Sequence, residues 1–184
     1  MEQVITGNMY NIVGYTIRQL LIKDINSALI IEKLSFDTPW TVKEFLKYLE
    51  TYDNNGNVNN YITLAVETDK KLVGYIICDV LSNKIRILNV AIHPDHRLKG
   101  ILTSFIAKII HLAQRKQKKQ VIIEIKENNL SAQLAFKALE FKAIKIIKNG
   151  GDYNTYLMSK SVITNSFNNQ FHAKNLTIHH NQIF

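Results

Sequence analysis

The stretch from residue 85 to residue 126 constrains the fold most, because its pattern changes from strand to helix and back to strand. IRILNVAI (85–92) is rich in β-branched residues and indicates a strand, which HPDHR ends. From Gly100 to Ala113 the apolar residues recur at helical spacing, and QRKQKKQ closes this helix with positive charge at its C-terminus. VIIEIK (121–126) is an apolar run typical of a strand in the middle of a sheet.

Further strand and helix patterns lie on both sides of this unit. Thr41 and Glu44 form the capping-box pattern T-x-x-E at the start of one helix, and Asp24 is a candidate cap for the helix before it. The order of the elements predicts an α+β (mixed α/β) fold, in which a mixed sheet carries helices on its faces. The other predicted strands are 15–22, 61–67, 71–81, 141–147 and 153–160, and the other predicted helices are 24–34, 41–49 and 128–139.

The length of 184 residues suits one domain with short extensions. We predict an N-terminal extension over residues 1–14, a folded domain over 15–160 and a polar C-terminal tail over 161–184 that we expect to be flexible. The single cysteine, Cys78, excludes a disulfide framework, and its apolar surroundings predict a buried thiol. Because neither a signal peptide nor a membrane-spanning apolar stretch is visible, we expect a cytoplasmic protein that does not enter a membrane.

The point where the long helix begins is the strongest candidate for a binding site. The first turn of a helix has unpaired amide groups and a partial positive charge, and Gly100 allows a phosphate to approach the backbone closely. Arg97 and Lys99 add full charges, so the arrangement predicts a cradle for a pyrophosphate. The alternative is an ordinary loop with solvated cations. The net charge of +8 also favours a polyanionic partner, such as nucleic acid, a ribosome surface or a phosphorylated cofactor.

The segment LNVAIHPDHRLKGIL, followed by IIEIKENNLSAQLAFKALEF, resembles the acetyl-CoA-binding core of the GNAT N-acetyltransferase superfamily. Within it the similarity is to RimI-like and archaeal N-terminal acetyltransferases, whose pattern Q/R-x-x-G-x-G/A falls on Arg97, Gly100 and Leu102. FDTPWTVKEF (36–45) is similar to the family segment that contributes to the peptide-substrate side. The resemblance implies a GNAT-like sheet of six to seven strands, largely antiparallel, flanked by about four helices.

The resemblance also implies the positions that bind the co-substrate, acetyl-CoA. Backbone groups at Val90, Ala91 and Ile92 would bond to pantetheine, and the Ile92 amide would stabilise the oxyanion. Asn129 would contact CoA at the start of the next helix, where its ordinary role is that of an N-cap. His93 and His96 lack ligand partners at a useful spacing, so no metal is expected. The residues implied to wrap the pyrophosphate are Arg97, Leu98, Lys99, Gly100, Ile101 and Leu102.

Glu124 is the candidate general base. It lies inside the apolar strand VIIEIK and matches a glutamate of the family. Apolar surroundings would raise the pKa of its carboxyl towards the value that deprotonation of an ammonium requires, with a water as a carrier of the proton. The alternative is a structural glutamate that pairs with Lys126 or another cation.

Two positions depart from the family pattern. Leu102 replaces a small residue, and its side chain either turns into the core, as its helical phase indicates, or narrows the loop. Phe136 stands where the family has the tyrosine that protonates the leaving thiolate; we retain it among the cofactor-binding positions, although it is also a plausible core aromatic. Because phenylalanine has no proton to give, a water, Tyr153 or Tyr156 would have to replace the tyrosine.

Several functions remain open from the sequence. The first is an acetyltransferase that acts on the α-amino group of a protein or peptide by direct attack on the thioester, with a small amine as the other acceptor class. The second is a CoA-binding module with weakened catalysis that docks on RNA or a ribosome through its basic surface. A nucleic-acid binder unrelated to CoA is the third. The oligomeric state and the role of the tail are not determined by the sequence.

Overall fold

The computed structural model describes residues 12–50, 60–148, 150 and 152–163, which form one sheet with helices on both faces. The strands are β1 (Thr16–Gln19), β2 (Tyr61–Thr68), β3 (Lys71–Val80), β4 (Lys84–Ile92), β5 (Gln120–Lys126), β6 (Lys142–Ile147) and β7 (Thr155–Ser161). The helices are α1 (Ile25–Lys33), α2 (Val42–Leu49), α3 (Ile101–Arg115) and α4 (Leu130–Ala138). The predicted fold class is confirmed.

The sheet has the strand order β1-β2-β3-β4-β5-β7-β6. All neighbours run antiparallel except β4 and β5, which are parallel because α3 carries the chain back to the starting edge between them. The prediction of a mixed, largely antiparallel sheet is therefore confirmed. The position of β5 next to β4 explains the apolar run VIIEIK, since this strand has a neighbour on each side.

The parallel pair β4–β5 separates part of the way along. Residues Lys84–Ile87 of β4 pair with Gln120–Ile123 of β5. Beyond them, Leu88–Ile92 and Glu124–Lys126 continue without pairing to each other. The register between β3 and β4 shifts between Ile77 and Cys78, which makes Leu88 an extra residue in β4 at the point of separation. A bulge of this kind bends a strand locally. The result is an opening in the middle of the sheet.

Two apolar clusters, one on each face, hold the helices to the sheet. On one face α3 and α4 pack through Ile101, Phe105, Ile109 and Phe136 against strand residues such as Ile123. On the other face α1 and α2 pack around Tyr75 and Phe45. Cys78 is buried in the first cluster as predicted, and burial raises the pKa of its thiol.

The N-terminal elements differ in detail from the prediction. The predicted strand 15–22 is shorter, and a single 3-10 turn, Ile22–Asp24, follows it. Asp24 precedes α1 but does not cap it, because its carboxylate accepts hydrogen bonds from the Leu21 amide and from Arg18 instead. The capping box of α2 is confirmed: Glu44 accepts the Thr41 N–H at 2.6 Å, and Thr41 Oγ1 accepts the Glu44 N–H at 3.4 Å.

The predicted extensions lie mostly outside the described residues, and their boundaries stay predictions. Where the chain is described, Ile12 packs at the edge of the α3–α4 cluster and Val162 is buried in it, so packed residues occur just beyond both ends of the predicted 15–160 domain. None of the helices described is long and apolar enough to cross a membrane.

Candidate active site

The parallel strands β4 and β5 end at the same edge of the sheet, and each is followed by a helix. The chain therefore brings the N-termini of α3 and α4 to the edge where the opening between the two strands lies. Ile92, Glu124, Gly100 and Asn129, which the sequence assigns to one site, all lie at or near this edge. Phe136 does not, because it lies further along α4 and points into the core.

The backbone of β4 supplies free hydrogen-bonding groups to the opening. The His93 N–H donates to the Val73 carbonyl at 2.8 Å, so it points towards β3. Because amide directions alternate along a strand, the amides of Ile92 and Val90 point the other way, towards the opening, while those of Ala91 point to β3. Two of the three predicted backbone contacts thus face the opening. The correction concerns Ala91, whose groups are used by the β3 ladder.

The N-terminus of α3 has the features of an anion site. Gly100 has a φ of +80° and Leu98 a φ of +60°, so two left-handed residues shape the turn before the helix. No side chain of the described residues caps α3, and its first intrahelical bond runs from the Ser104 N–H to the Gly100 carbonyl at 3.0 Å. The amides of Ile101 to Thr103 are therefore available to a phosphate. Lys99 is exposed beside them.

The side chain of Arg97 lies at the end of β4. Its Nε donates to the Ile92 carbonyl at 3.0 Å, and its Nη2 donates to the Ser35 hydroxyl at 3.0 Å. Arg97 therefore connects the C-terminal end of β4 to the segment that follows α1, and its contact with phosphate stays a prediction. Leu102 is half-buried against the α3–α4 cluster, as its helical phase predicts.

Glu124 is exposed, so the expectation that it is buried is wrong. The physical reason is the separation of the strands: β4 stops pairing with β5 at Ile123, which leaves Glu124 without a neighbouring strand on that side. Ile123 and Ile125 point to the α3–α4 face, so Glu124 points to the opposite face, the one that carries α1 and α2. Its carboxylate is accessible to an acceptor that approaches from that face.

Neither Phe136 nor Tyr156 is available as a proton donor at the opening. Phe136 is 2% exposed and packs edge-to-face on Phe141, with 5.0 Å between the ring centroids, which argues against a direct cofactor contact. The Tyr156 hydroxyl donates to Glu127 at 3.2 Å, and the negative charge of Glu127 raises the pKa of Tyr156. Asn129 is the N-cap of α4, since its side chain accepts the Ala132 N–H at 3.0 Å.

Glu32 is a buried carboxylate near the site that the sequence reasoning missed. It accepts the Trp40 N–H at 2.7 Å, Nδ2 of Asn89 at 2.6 Å and the hydroxyl of Tyr75. Burial raises the pKa of the Glu32 carboxyl, although the bonds from Trp40 and Asn89 oppose that shift. A signal was present: Glu32 follows Ala28 by four residues, which places it on the buried stripe of α1, whereas Leu34, the last residue of the predicted helix 24–34, is half exposed.

Other features of the described residues do not add to this site. No group of three or more His, Cys, Asp or Glu side chains in them is arranged to hold a metal. The Tyr15 hydroxyl and Nδ1 of His96 are 3.0 Å apart, so one ring nitrogen of His96 already has a hydrogen-bond partner. A groove of about 660 Å³ lies between α4 and the β6–β7 hairpin, and Tyr156, a predicted replacement for the family tyrosine, is the one predicted site residue among those that line it.

Residues 25–141 match the acetyltransferase (GNAT) family. A protein of Bacillus subtilis (strain 168), named as a candidate [ribosomal protein bS18]-alanine N-acetyltransferase, is 28% identical over 133 residues, which are 72% of this chain and 84% of that protein.

Two solved structures show the same fold. The crystal structure of the ribosomal-protein-S18-alanine N-acetyltransferase from Escherichia coli superimposes with a TM-score of 0.69 at 19% identity, over 84% of this chain and 97% of that one. Ard1 from Thermoplasma volcanium superimposes with a TM-score of 0.71 at 22% identity, over 82% and 99%.

Proposed function

The chain belongs to the acetyltransferase (GNAT) family, whose members transfer an acetyl group from acetyl-CoA to an amine, and we propose that its acceptor is the N-terminal α-amino group of a protein. The observation that supports this most is the opening between β4 and β5, with free amides on one strand and Glu124 on the other. The small-amine acceptor is the alternative within the same chemistry.

The residues present fit acetyl-CoA. The uncapped N-terminus of α3 and Lys99 would provide amides and charge for the pyrophosphate, and the backbone groups of Val90 would provide partners for the pantetheine amides. When bound, acetyl-CoA supplies an acetyl thioester as the electrophile. The Ile92 amide, which points into the opening, would donate a hydrogen bond to the thioester oxygen, where negative charge would develop during attack.

Glu124 accepts the proton of the acceptor ammonium, directly or through a water. Its exposure on the α1–α2 face means that the acceptor and the cofactor phosphates approach from different sides of the sheet. Binding then holds amine and thioester together, which supplies much of the rate of such a reaction.

Position 136 is a phenylalanine and has no hydroxyl that would protonate a leaving thiolate. A thiol has a pKa of about 8.5, so its anion is a tolerable leaving group. General acid catalysis contributes about 10²–10⁴-fold in enzymes that use it, so this chain should turn over more slowly than a relative that has the tyrosine. Tyr156 is a poor replacement, because Glu127 holds its proton.

The test of this function is acetylation of peptides by the purified protein. The acceptors are a peptide that begins with alanine, the same peptide with a formylated N-terminus, and a small polyamine, each measured by thiol release from acetyl-CoA. We expect turnover only with the free N-terminus. Turnover of the formylated peptide or of the polyamine alone would contradict the proposed acceptor.

Replacement of Glu124 tests the base. Glu124→Gln should lower kcat/KM by about 10²-fold or more, as loss of a general base does, while acetyl-CoA affinity by calorimetry stays within about twofold. Glu140→Gln is the matched control, since Glu140 is an exposed carboxylate at the end of α4 that pairs only with Lys160 among the described residues. Equal activity of Glu124→Gln and wild type would contradict the role.

A ribosomal partner and a cytoplasmic location belong to the same proposal. The ribosomal partner is supported by the net charge of +8 and by the names of the relatives, which refer to a ribosomal protein. Co-sedimentation with ribosomes over a series of salt concentrations tests the association, since contacts to phosphate weaken steeply as salt rises.

A further inference from the structure

The carboxylate of Glu32 connects three parts of the molecule. It lies on the sheet-facing side of α1 and is 0% exposed. Oε2 accepts the Trp40 N–H, and Oε1 accepts the amide of Asn89 and the hydroxyl of Tyr75. Removal of a carboxylate from water is costly unless such donors compensate it, so this residue requires all of its partners in place.

Two of these partners, Trp40 and Asn89, lie in different parts of the face on which Glu124 is exposed. Trp40 lies in the segment between α1 and α2, residues 34–41, which we call the acceptor segment. Asn89 lies in the part of β4 that no longer pairs with β5, next to Val90. Asn89 is also 8% exposed, so its contact with Glu32 is a core contact between helix and strand.

The beginning of the acceptor segment is attached to the same part of β4. Ser35 accepts a hydrogen bond from Arg97, whose Nε holds the Ile92 carbonyl. At its other end Trp40 stacks on Tyr48 of α2, with ring centroids 5.1 Å apart and planes inclined by 23°. The acceptor segment is thus linked to the free part of β4 at Ser35 through Arg97 and at Trp40 through Glu32, and the stacking on Tyr48 holds Trp40 to α2 as well.

We propose that Glu32 is a positioning residue for the acceptor, because its carboxylate sets the distance between the acceptor segment and the free part of β4. This proposal deepens the proposed function and rests on it. Glu32 does not touch the reacting atoms, and it acts through Trp40 and Asn89. Its loss should weaken the acceptor side while the phosphate cradle, which α3 forms, keeps its geometry.

The kinetic test compares the two substrates separately. Glu32→Leu leaves three buried donors without an acceptor, so we expect the KM for the alanine peptide to rise by about tenfold or more, while the KM for acetyl-CoA changes by less than about twofold. Glu32→Gln keeps the shape and one acceptor oxygen, and its amide can bond to a turned Asn89 amide. It should restore the acceptor KM to within about threefold of wild type.

A control separates positioning from general loss of stability. Ile31→Ala removes the neighbouring buried side chain of α1, which is 1% exposed, and leaves the carboxylate in place. It should lower the melting temperature without raising the acceptor KM. Asn89→Ala removes one partner of Glu32 and should raise the acceptor KM in the same direction as Glu32→Leu, so the proposal stays testable if Glu32→Leu does not fold.

A spectroscopic readout makes the test independent of turnover. Trp40 is the only tryptophan of the chain, so acrylamide quenching of its fluorescence reports on the acceptor segment alone. We expect faster quenching in Glu32→Leu and Asn89→Ala, and wild-type quenching in Glu32→Gln and Ile31→Ala. Failure of wild type to acetylate any peptide would overturn the proposed acceptor. Unchanged quenching in both Glu32→Leu and Asn89→Ala would overturn the role of Glu32, whatever the turnover.

Discussion

At the scale of single residues, the backbone conformation at position 100 is the reason for a glycine there. Its φ of +80° lies in the left-handed region, where a Cβ is unfavourable. A Cβ added there would meet no atom within 4 Å, so space is not the reason for glycine. The conformation turns the chain so that the first amides of α3 point away from the helix, as a phosphate requires.

Gly100→Ala should therefore lower the free energy of unfolding by about 1–2 kcal/mol through backbone strain alone. Urea unfolding followed by circular dichroism measures the change. Lys99→Ala, one residue earlier and also exposed, should change the stability by less than about 0.5 kcal/mol. A Gly100→Ala protein with wild-type stability would show that the turn adopts another conformation.

The sequence placed Gly100 and Glu124 in one site, but it could not give the exposure of Glu124. Alternation within VIIEIK assigns Glu124 to a face, whereas its exposure depends on where β4 stops pairing, and that depends on the bulge at Leu88. The burial of Glu32 could have been predicted from the sequence, because this charged residue lies on the apolar stripe of a helix. Its partners on β3 and β4 were not.

At the scale of secondary structure elements, ion pairs of Arg18 connect β1 to β2 and to the turn that precedes α1. Its guanidinium contacts Asp24, before α1, at 2.7 Å and Glu67, in β2, at 2.8 Å. Burial acts to raise the pKa of Asp24, but the hydrogen bonds from Arg18 and from the Leu21 amide outweigh it, so the pKa lies below its usual range. A carboxyl with a depressed pKa stabilises the fold only while it is ionised.

Asp24→Asn should lower the free energy of unfolding at pH 7 by about 1–3 kcal/mol, because Arg18 loses a charged partner in a largely buried site. Since the stabilisation is complete above the unfolded pKa of about 3.9 and is lost as pH falls through the lower folded pKa, the difference from wild type should shrink between about pH 4 and pH 2. Urea unfolding over this pH range measures it. A difference that stays constant down to pH 2 would contradict this linkage.

Element boundaries were predictable wherever periodicity and turn residues agreed. The strands β2 to β5 and the helices α2 to α4 follow the sequence pattern closely, since each has a distinct apolar face. The strand 15–22 was predicted too long, because Leu20 is buried and continues the apolar alternation, while β1 ends at Gln19 and one backbone bond, from the Leu20 N–H to the Thr63 carbonyl at 3.1 Å, follows it. Pairing, unlike periodicity, is decided by the neighbouring strand.

At the scale of the whole molecule, the α3–α4 cluster joins the two sides of the opening. Helix α3 packs on both β4 and β5, and Phe105 of this helix is 0% exposed in the cluster.

Phe105→Ala should lower the free energy of unfolding by about 3–5 kcal/mol, because it leaves a large cavity in the core. Chemical unfolding measures this, with Leu130→Ala as the control: Leu130 is 62% exposed on α4 and should matter by less than about 0.5 kcal/mol. Similar losses in the two variants would contradict the packing described.

Because β4 separates from β5, the two halves of the sheet are joined over a short distance. The sheet consists of two panels, β1–β4 and β5–β7–β6, that share a seam only four residue pairs long. Because Ile92 and Glu124 lie on different panels beyond that seam, a rotation of one panel about the seam would change the spacing between them. The alignment of amine and thioester is therefore a property of the angle between the panels, and residues remote from the chemistry share in setting it.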